Sequence, residues 1–135
     1  SAASDVYKRK LLGKVNPSGK LPYSYPSYVN SLVPYNYKPS DIQNNSQGAY
    51  NYVGEVNYLY PFGYGLSYSS FKYSNLEVDK NIYKVNDTIK ISVSVKNNSS
   101  LLGKETIQLY SKDNYATLTP DIKRLRRFKK IEIYF

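Results

Sequence analysis

Between Ile89 and Lys96 the chain alternates without a break: Ile89, Ile91, Val93 and Val95 against Lys90, Ser92, Ser94 and Lys96. Successive side chains of a strand point to opposite faces, so this period puts four apolar residues on one side and four polar ones on the other. The segment predicts a strand buried on one face and wet on the other, and it commits its surroundings to β-structure. Phe71, Tyr73, Leu76 and Val78 predict a second strand, with an irregularity near Ser74-Asn75 where the period slips. Val85-Asn86-Asp87-Thr88 ends the connection between the two. Asn97 to Gly103 reads as a turn. Glu105 to Ser111 reads as a strand with Ile107 and Leu109 inward, and residues 122–135 as another, bulged near Arg126-Arg127. About four strands result, at the spacing of a β-sandwich that needs about seven. The expectation is a sandwich still unfinished at Phe135, with apolar faces and edges open.

The first half of the chain has a different texture. Residues 1–12 predict a short helix with a thin apolar stripe from Ala2, Ala3, Val6, Leu11 and Leu12, stopped at Gly13. Asn16-Pro17-Ser18-Gly19 reads as a turn. Residues 20–26, bounded by Pro22 and Pro26, read as an edge strand. Residues 27–68 show no sustained period. They hold Pro34, Pro39, Gly48, Gly54, Pro61, Gly63 and Gly65 among many Tyr and Asn. A structureless stretch of that length is either functional or lies against a larger body. There is no internal repeat.

Composition removes several kinds of chemistry. With no His and no Cys, the chain has no serine–histidine or cysteine–histidine nucleophile, no disulfide, and no zinc centre built on those ligands. Tyr supplies 17 residues while Trp and Met supply none, which favours β-structure and surfaces where ring faces are covered and hydroxyls stay near water. The net charge of +9 is spread over both halves. Its one dense run is Lys123, Arg124, Arg126, Arg127, Lys129 and Lys130. Leu125, Phe128, Ile131 and Ile133 interrupt it, so it reads as the solvent face of an edge strand before it reads as a nucleic-acid patch. No stretch of about 18 apolar residues is present, so no membrane span is expected. Asn44, Asn86, Asn97 and Asn98 stand in Asn-x-Ser/Thr patterns, which an Asn-rich chain produces by chance.

Three segments carry a family resemblance. They are Gly13-Lys14-Val15-Asn16-Pro17-Ser18-Gly19-Lys20-Leu21-Pro22; then Leu59-Tyr60-Pro61-Phe62-Gly63-Tyr64-Gly65-Leu66-Ser67-Tyr68 with Phe71; then Gly103-Lys104-Glu105-Thr106-Ile107-Gln108-Leu109-Tyr110 with Leu125, Phe128 and Lys129-Lys130-Ile131. In this order they resemble glycoside hydrolase family 3, of the β-glucosidase and β-xylosidase type. The resemblance implies a mainly β fold: an incomplete fibronectin type III-like, immunoglobulin-like sandwich over residues 71–135. Before it would come a helix–strand remnant of an α/β sandwich domain in residues 1–26 and a Tyr-rich linker or clasp in residues 27–70. In the family the nucleophile is an Asp of an amino-terminal barrel, and the acid/base is generally a Glu upstream of the first segment. Neither position lies in this sequence. No catalytic, cofactor-binding or metal-binding residue is carried over, and no substrate-binding residue is assigned.

Of the chain's own acids, Glu77 and Asp79 share the wet face of a strand, and Glu105, Asp113 and Asp121 read as solvated charges. Glu55, in the Tyr-rich stretch, has the most unusual surroundings. The leading expectation is a non-catalytic terminal segment of a retaining β-glycosidase. Its partners would be the upstream catalytic domains and, through them, a carbohydrate, with no nucleic acid expected. It should not fold stably without those domains. Similarity to polysaccharide-degrading enzymes favours an extracellular or periplasmic setting. The alternatives are a stand-alone carbohydrate- or surface-binding module using its Tyr-rich loops, and a basic nucleic-acid binder. For the Pro61-Phe62-Gly63-Tyr64-Gly65 loop, a clasp that pins domains together competes with a platform that stacks on sugar rings.

Overall fold

The computed structural model describes residues 2–29, 34–39, 44–45, 52–53 and 57–135. It is mainly β, with one short helix ahead of the strands. Helix α1, Ala2–Leu11, carries Asp5 in its first turn and Lys8, Arg9 and Lys10 in its last, each sign where the helix dipole favours it. Gly13 stops it at φ 69°, a left-handed conformation that glycine adopts at little cost.

Among the described residues eight strands follow: β1 Tyr25–Pro26, β2 Asn44–Asn45, β3 Tyr52–Val53, β4 Tyr58–Tyr60, β5 Phe71–Val78, β6 Ile91–Asn97, β7 Gly103–Ser111 and β8 Arg124–Ile133. They pair as four two-stranded sheets, β1 with β4, β2 with β3, β5 with β6 and β7 with β8. The β5–β6 ladder is antiparallel, with Phe71 opposite Asn97 and Val78 opposite Ile91. Its register slips between Ser74 and Glu77, and Asn75 takes a φ of 51° there, so the irregularity legible in the sequence is a true break. Asn86, at φ 74°, makes the turn of the connection.

Several expectations are corrected. Residues 27–68 are not wholly without structure: β2 and β3 pair within it, and β4 pairs with β1 from just before it, in segments of two or three residues too short to leave a period. The strand expected over residues 20–26 shrinks to Tyr25–Pro26. Leu21 spends its amide on the carbonyl of Tyr64 (2.8 Å) and its carbonyl on the amide of Gly63 (2.8 Å), so its backbone groups go to a loop. No turn forms at residues 16–19, where the side chain of Asn16 holds the chain instead. The β6 face expected to be buried is only half-covered, with Ile91 at 40% exposure. A two-stranded ribbon needs a second layer to bury a face, and no hydrophobic side chain among the described residues is buried. No described helix is long and apolar enough to cross a membrane.

The chain forms two compact units, each drawn from distant parts of the sequence. Unit 1 comprises Ser1–Ser18, Ser67–Glu105 and Ile131–Phe135; unit 2 comprises Gly19–Leu66 and Thr106–Lys130.

Candidate functional site

In unit 1 the first motif is organised by one amide. Released by the stop at Gly13, the chain brings Asn16 against residues 67–69. Its Oδ1 accepts from the Ser67 hydroxyl and the Tyr68 amide, both at 2.9 Å. Its Nδ2 donates to Ser69 Oγ (2.7 Å) and to the Leu102 carbonyl (3.0 Å). Both donors and both acceptor sites of the side chain are thereby used. Ser69, itself buried, donates its hydroxyl hydrogen bond to the Leu101 carbonyl at 3.0 Å. The Tyr68 hydroxyl donates to the Lys10 carbonyl at the open end of α1 (2.7 Å). Gly103 closes the node: a Cβ there would stand 2.6 Å from the Phe71 ring and 2.7 Å from Ser69 Oγ. Residues from all three motifs thus meet around Asn16.

A second amide with its partners in place, this one buried, stands at the end of β6. Asn97, 4% exposed, donates to the carbonyls of Leu101 (2.7 Å) and Ile133 (3.2 Å) and accepts from the amide and hydroxyl of Ser99. Glu105 is a correction to the sequence reading, since it is buried rather than solvated and accepts from the Tyr73 hydroxyl at 2.9 Å. Burial, then the hydrogen bond and charge of Glu105, push the Tyr73 phenol well above its ordinary range.

In unit 2 the same three motifs meet again, through their other halves. Gly63 turns at φ 81°, and a Cβ on it would reach within 2.3 Å of Gln108 Oε1. Gly65 packs against backbone: a Cβ would stand 2.1 Å from the Gly19 carbonyl oxygen. Phe62 stacks on Tyr35, centroids 4.3 Å apart, and meets the edge of Tyr110. Tyr64 stacks on Tyr60 at 4.8 Å. Each of these four stacked rings spends one face on another ring of the same unit, as a clasp does. Lys123 caps Tyr110 at 4.8 Å from the ring centroid.

The other carboxylates are dispersed. Asp79 accepts from the Tyr83 hydroxyl and the Lys90 amide; the Tyr83 bond, then the Lys90 bond, hold its carboxyl below the usual range. Glu77 is exposed on β5, as expected, but Asp79 falls just past the end of that strand and does not share its face. Asp121 is a second correction, its side chain 8% exposed and tied to Arg124 rather than solvated, while Asp113 is exposed as expected. Glu55 lies outside the described residues. Among the described residues no group of three His, Cys, Asp or Glu is gathered as metal ligands would be. Sequence reasoning missed the Asn16 node and the Tyr73–Glu105 pair. The polar run Ser67-Tyr68-Ser69, matched to an Asn in the first motif, is the signal that announces the first.

Comparison with known proteins agrees with this geometry. Residues 2–68 match the model of the Glycosyl hydrolase family 3 C-terminal domain. A β-xylosidase of Formosa agariphila is 36% identical over 97% of this chain and 18% of its own length. A β-glucosidase of Bacteroides ovatus is 34% identical over 98% of this chain and 19% of its own. Among solved structures, a β-glucosidase from Erythrobacter marinus superposes with a TM-score of 0.80 at 35% identity, over 93% of this chain and 16% of that one. A β-glucosidase from Listeria innocua in complex with glucose does so with a TM-score of 0.80 at 32% identity, over 96% and 19%. The chain spans less than a fifth of the length of each of these relatives. With the motifs packed together and the relatives in agreement, the chain belongs to glycoside hydrolase family 3, as a segment of its C-terminal region.

Proposed function

We propose that this chain is a non-catalytic C-terminal segment of a retaining β-glycosidase whose complete form hydrolyses O-glycosyl bonds in β-glucosides, β-xylosides or related sugars. In this reading residues 1–26 finish an α/β sandwich domain, residues 27–70 make a Tyr-rich connection, and residues 71–135 begin a fibronectin type III-like domain. The substrate class follows from the names of the relatives. The observation that carries the structural half is the uncovered apolar surface. Leu66, Leu76, Ile82, Val85 and Leu118 are each at least 70% exposed, and no described hydrophobic side chain is buried. Such a surface suits a segment that packs against a larger body.

Retaining hydrolysis needs two carboxyl groups roughly 5–5.5 Å apart across the scissile bond. Glu105, Asp79 and Asp121 are each spent on a Tyr or Arg neighbour, which supports a supporting rather than a chemical role. The test is hydrolysis of 4-nitrophenyl β-glucoside and β-xyloside. The chain alone is expected to turn over neither. The same chain, exchanged for the matching segment of the Listeria innocua enzyme, is expected to leave an active glucosidase. Turnover by the isolated chain would sink the proposal, as would a folded but inactive chimera.

A further inference from the structure

The basic run on β8 is absorbed by neither clasp. Alternate residues of a strand share a face; Leu125, Ile131 and Ile133 are half-buried, whereas every residue from Arg126 to Lys130, Arg127 and Lys129 included, is exposed. The even positions put Arg124, Arg126, Phe128 and Lys130 in one exposed row, with Phe128 at 70% exposure. Arg126 to Lys130 spans roughly 13 Å at 3.3 Å per residue, the reach of a short oligosaccharide. Arg126 is held in place without being neutralised there: its Nε donates to Ser111 Oγ, an uncharged hydroxyl, at 2.7 Å. Beside the row lies a cleft of about 450 Å³ lined by Lys38, Ser111, Thr117, Thr119, Arg124 and Arg126. Asp113 and Asp121 also border it, the latter already paired with Arg124.

We propose that this face of unit 2 binds an acidic carbohydrate chain, one whose sugar rings carry carboxylate or sulfate groups. The guanidinium of Arg126 offers a planar fork to one anionic group. The exposed ring of Phe128 packs against the apolar face of a pyranose, and Lys130 meets the next anionic group. The hydroxyls of Ser111, Thr117 and Thr119 answer those of the sugar. Edge protection alone explains the cations but not the Phe, because an exposed apolar ring invites edge pairing. A single-stranded nucleic acid is served by successive stacking rings, and this row holds one. A neutral glycan leaves the cations without counterparts.

The test is affinity electrophoresis of the chain, alone and carried in the Listeria innocua chimera, through gels containing polygalacturonate, carrageenan or neutral xylan. A single-stranded oligonucleotide serves as competitor. Retardation by the acidic polymers and not by xylan is expected, and comparing the two acidic polymers separates carboxylate from sulfate. Arg126→Gln and Phe128→Ala are each expected to weaken binding about tenfold, Arg126→Lys less, and Arg9→Gln on α1 not at all. In the chimera, hydrolysis of an aryl glucoside reports a folded segment, so absence of retardation there overturns the proposal. Equal binding of xylan, tighter binding of the oligonucleotide, an unchanged Phe128→Ala variant, or an Arg9→Gln loss equal to that of Arg126→Gln overturns it as well.

Discussion

Asn16 and Gly65 show how much a single residue of the family motifs carries. Replacing Asn16 by Ala removes four hydrogen bonds and leaves Ser69, a buried hydroxyl, with one partner fewer. At about 1 kcal/mol net for each bond, the loss should be about 2–4 kcal/mol in urea denaturation followed by tyrosine fluorescence. Asn16→Asp keeps the acceptor half, loses both donors and should fall in between. The two glycines of the aromatic loop separate by what blocks a Cβ. At Gly65 the obstacle is the backbone oxygen of Gly19, so Gly65→Ala must displace the chain and should cost about 2 kcal/mol or more. At Gly63 the obstacle is the far end of the Gln108 side chain, which can shift at less cost than backbone, leaving mainly the left-handed φ to pay for, about 1–2 kcal/mol. Equal losses at the two positions would contradict this ordering. The residue types were legible in the sequence, since Gly and Pro at fixed offsets already announce close backbone approach. The partners were not, because Asn16 reaches residues 51 to 86 positions away and no local pattern encodes such a pairing.

At the scale of elements, period-two alternation located the strands but overstated their burial. Alternation reports which face is apolar; whether anything covers that face depends on a second layer far along the chain or beyond it. The slip at Ser74-Asn75 was legible because the apolar positions change parity there, from 71 and 73 to 76 and 78. Asn75 tolerates its positive φ better than a branched residue does, so Asn75→Val should destabilise the β5–β6 ladder by about 1–2 kcal/mol, while Asn75→Gly should be neutral or mildly favourable. The Tyr73–Glu105 contact between β5 and β7 was illegible, because alternation assigns a Glu to water by default. Its pH signature has a definite sign. Tyr73 binds its proton more tightly in the folded chain, so its contribution is fully present below the unfolded tyrosine pKa of about 10 and is lost as pH rises from there towards the raised folded value. Stability measured between pH 8 and 11.5 should fall at the alkaline end, and Tyr73→Phe should flatten that fall. Asp79 acts in the opposite direction. Its contribution is present above the unfolded Asp pKa and lost as pH drops through the lowered folded one, so Asp79→Asn should weaken the acid dependence.

For the whole molecule, surface is the deciding quantity. The chain exposes 11220 Å², whereas a self-contained domain of 15.5 kDa exposes roughly 7,200 Å² by the usual scaling with mass. The difference is of the order expected if a large share of the apolar surface normally meets another part of the polypeptide. Hydrogen bonding does not compensate for it: buried Asn97 and Glu105 have their partners, but satisfied polar groups contribute little net stability compared with apolar burial. The clasps around Asn16 and Gly65 therefore give the chain local order, with no buried hydrophobic core among the described residues to make unfolding all-or-none. The isolated chain should accordingly bind the dye ANS at neutral pH and melt over a broad range, with a calorimetric enthalpy well below the roughly 0.7 kcal/mol per residue of an ordinary domain. Carried behind the upstream domains of a family 3 relative, the same residues should lose the dye signal and unfold together with their host. A sharp two-state melt of the isolated chain without dye binding would mean that the exposed side chains find partners within these residues, and the dependence on a larger body would have to be abandoned.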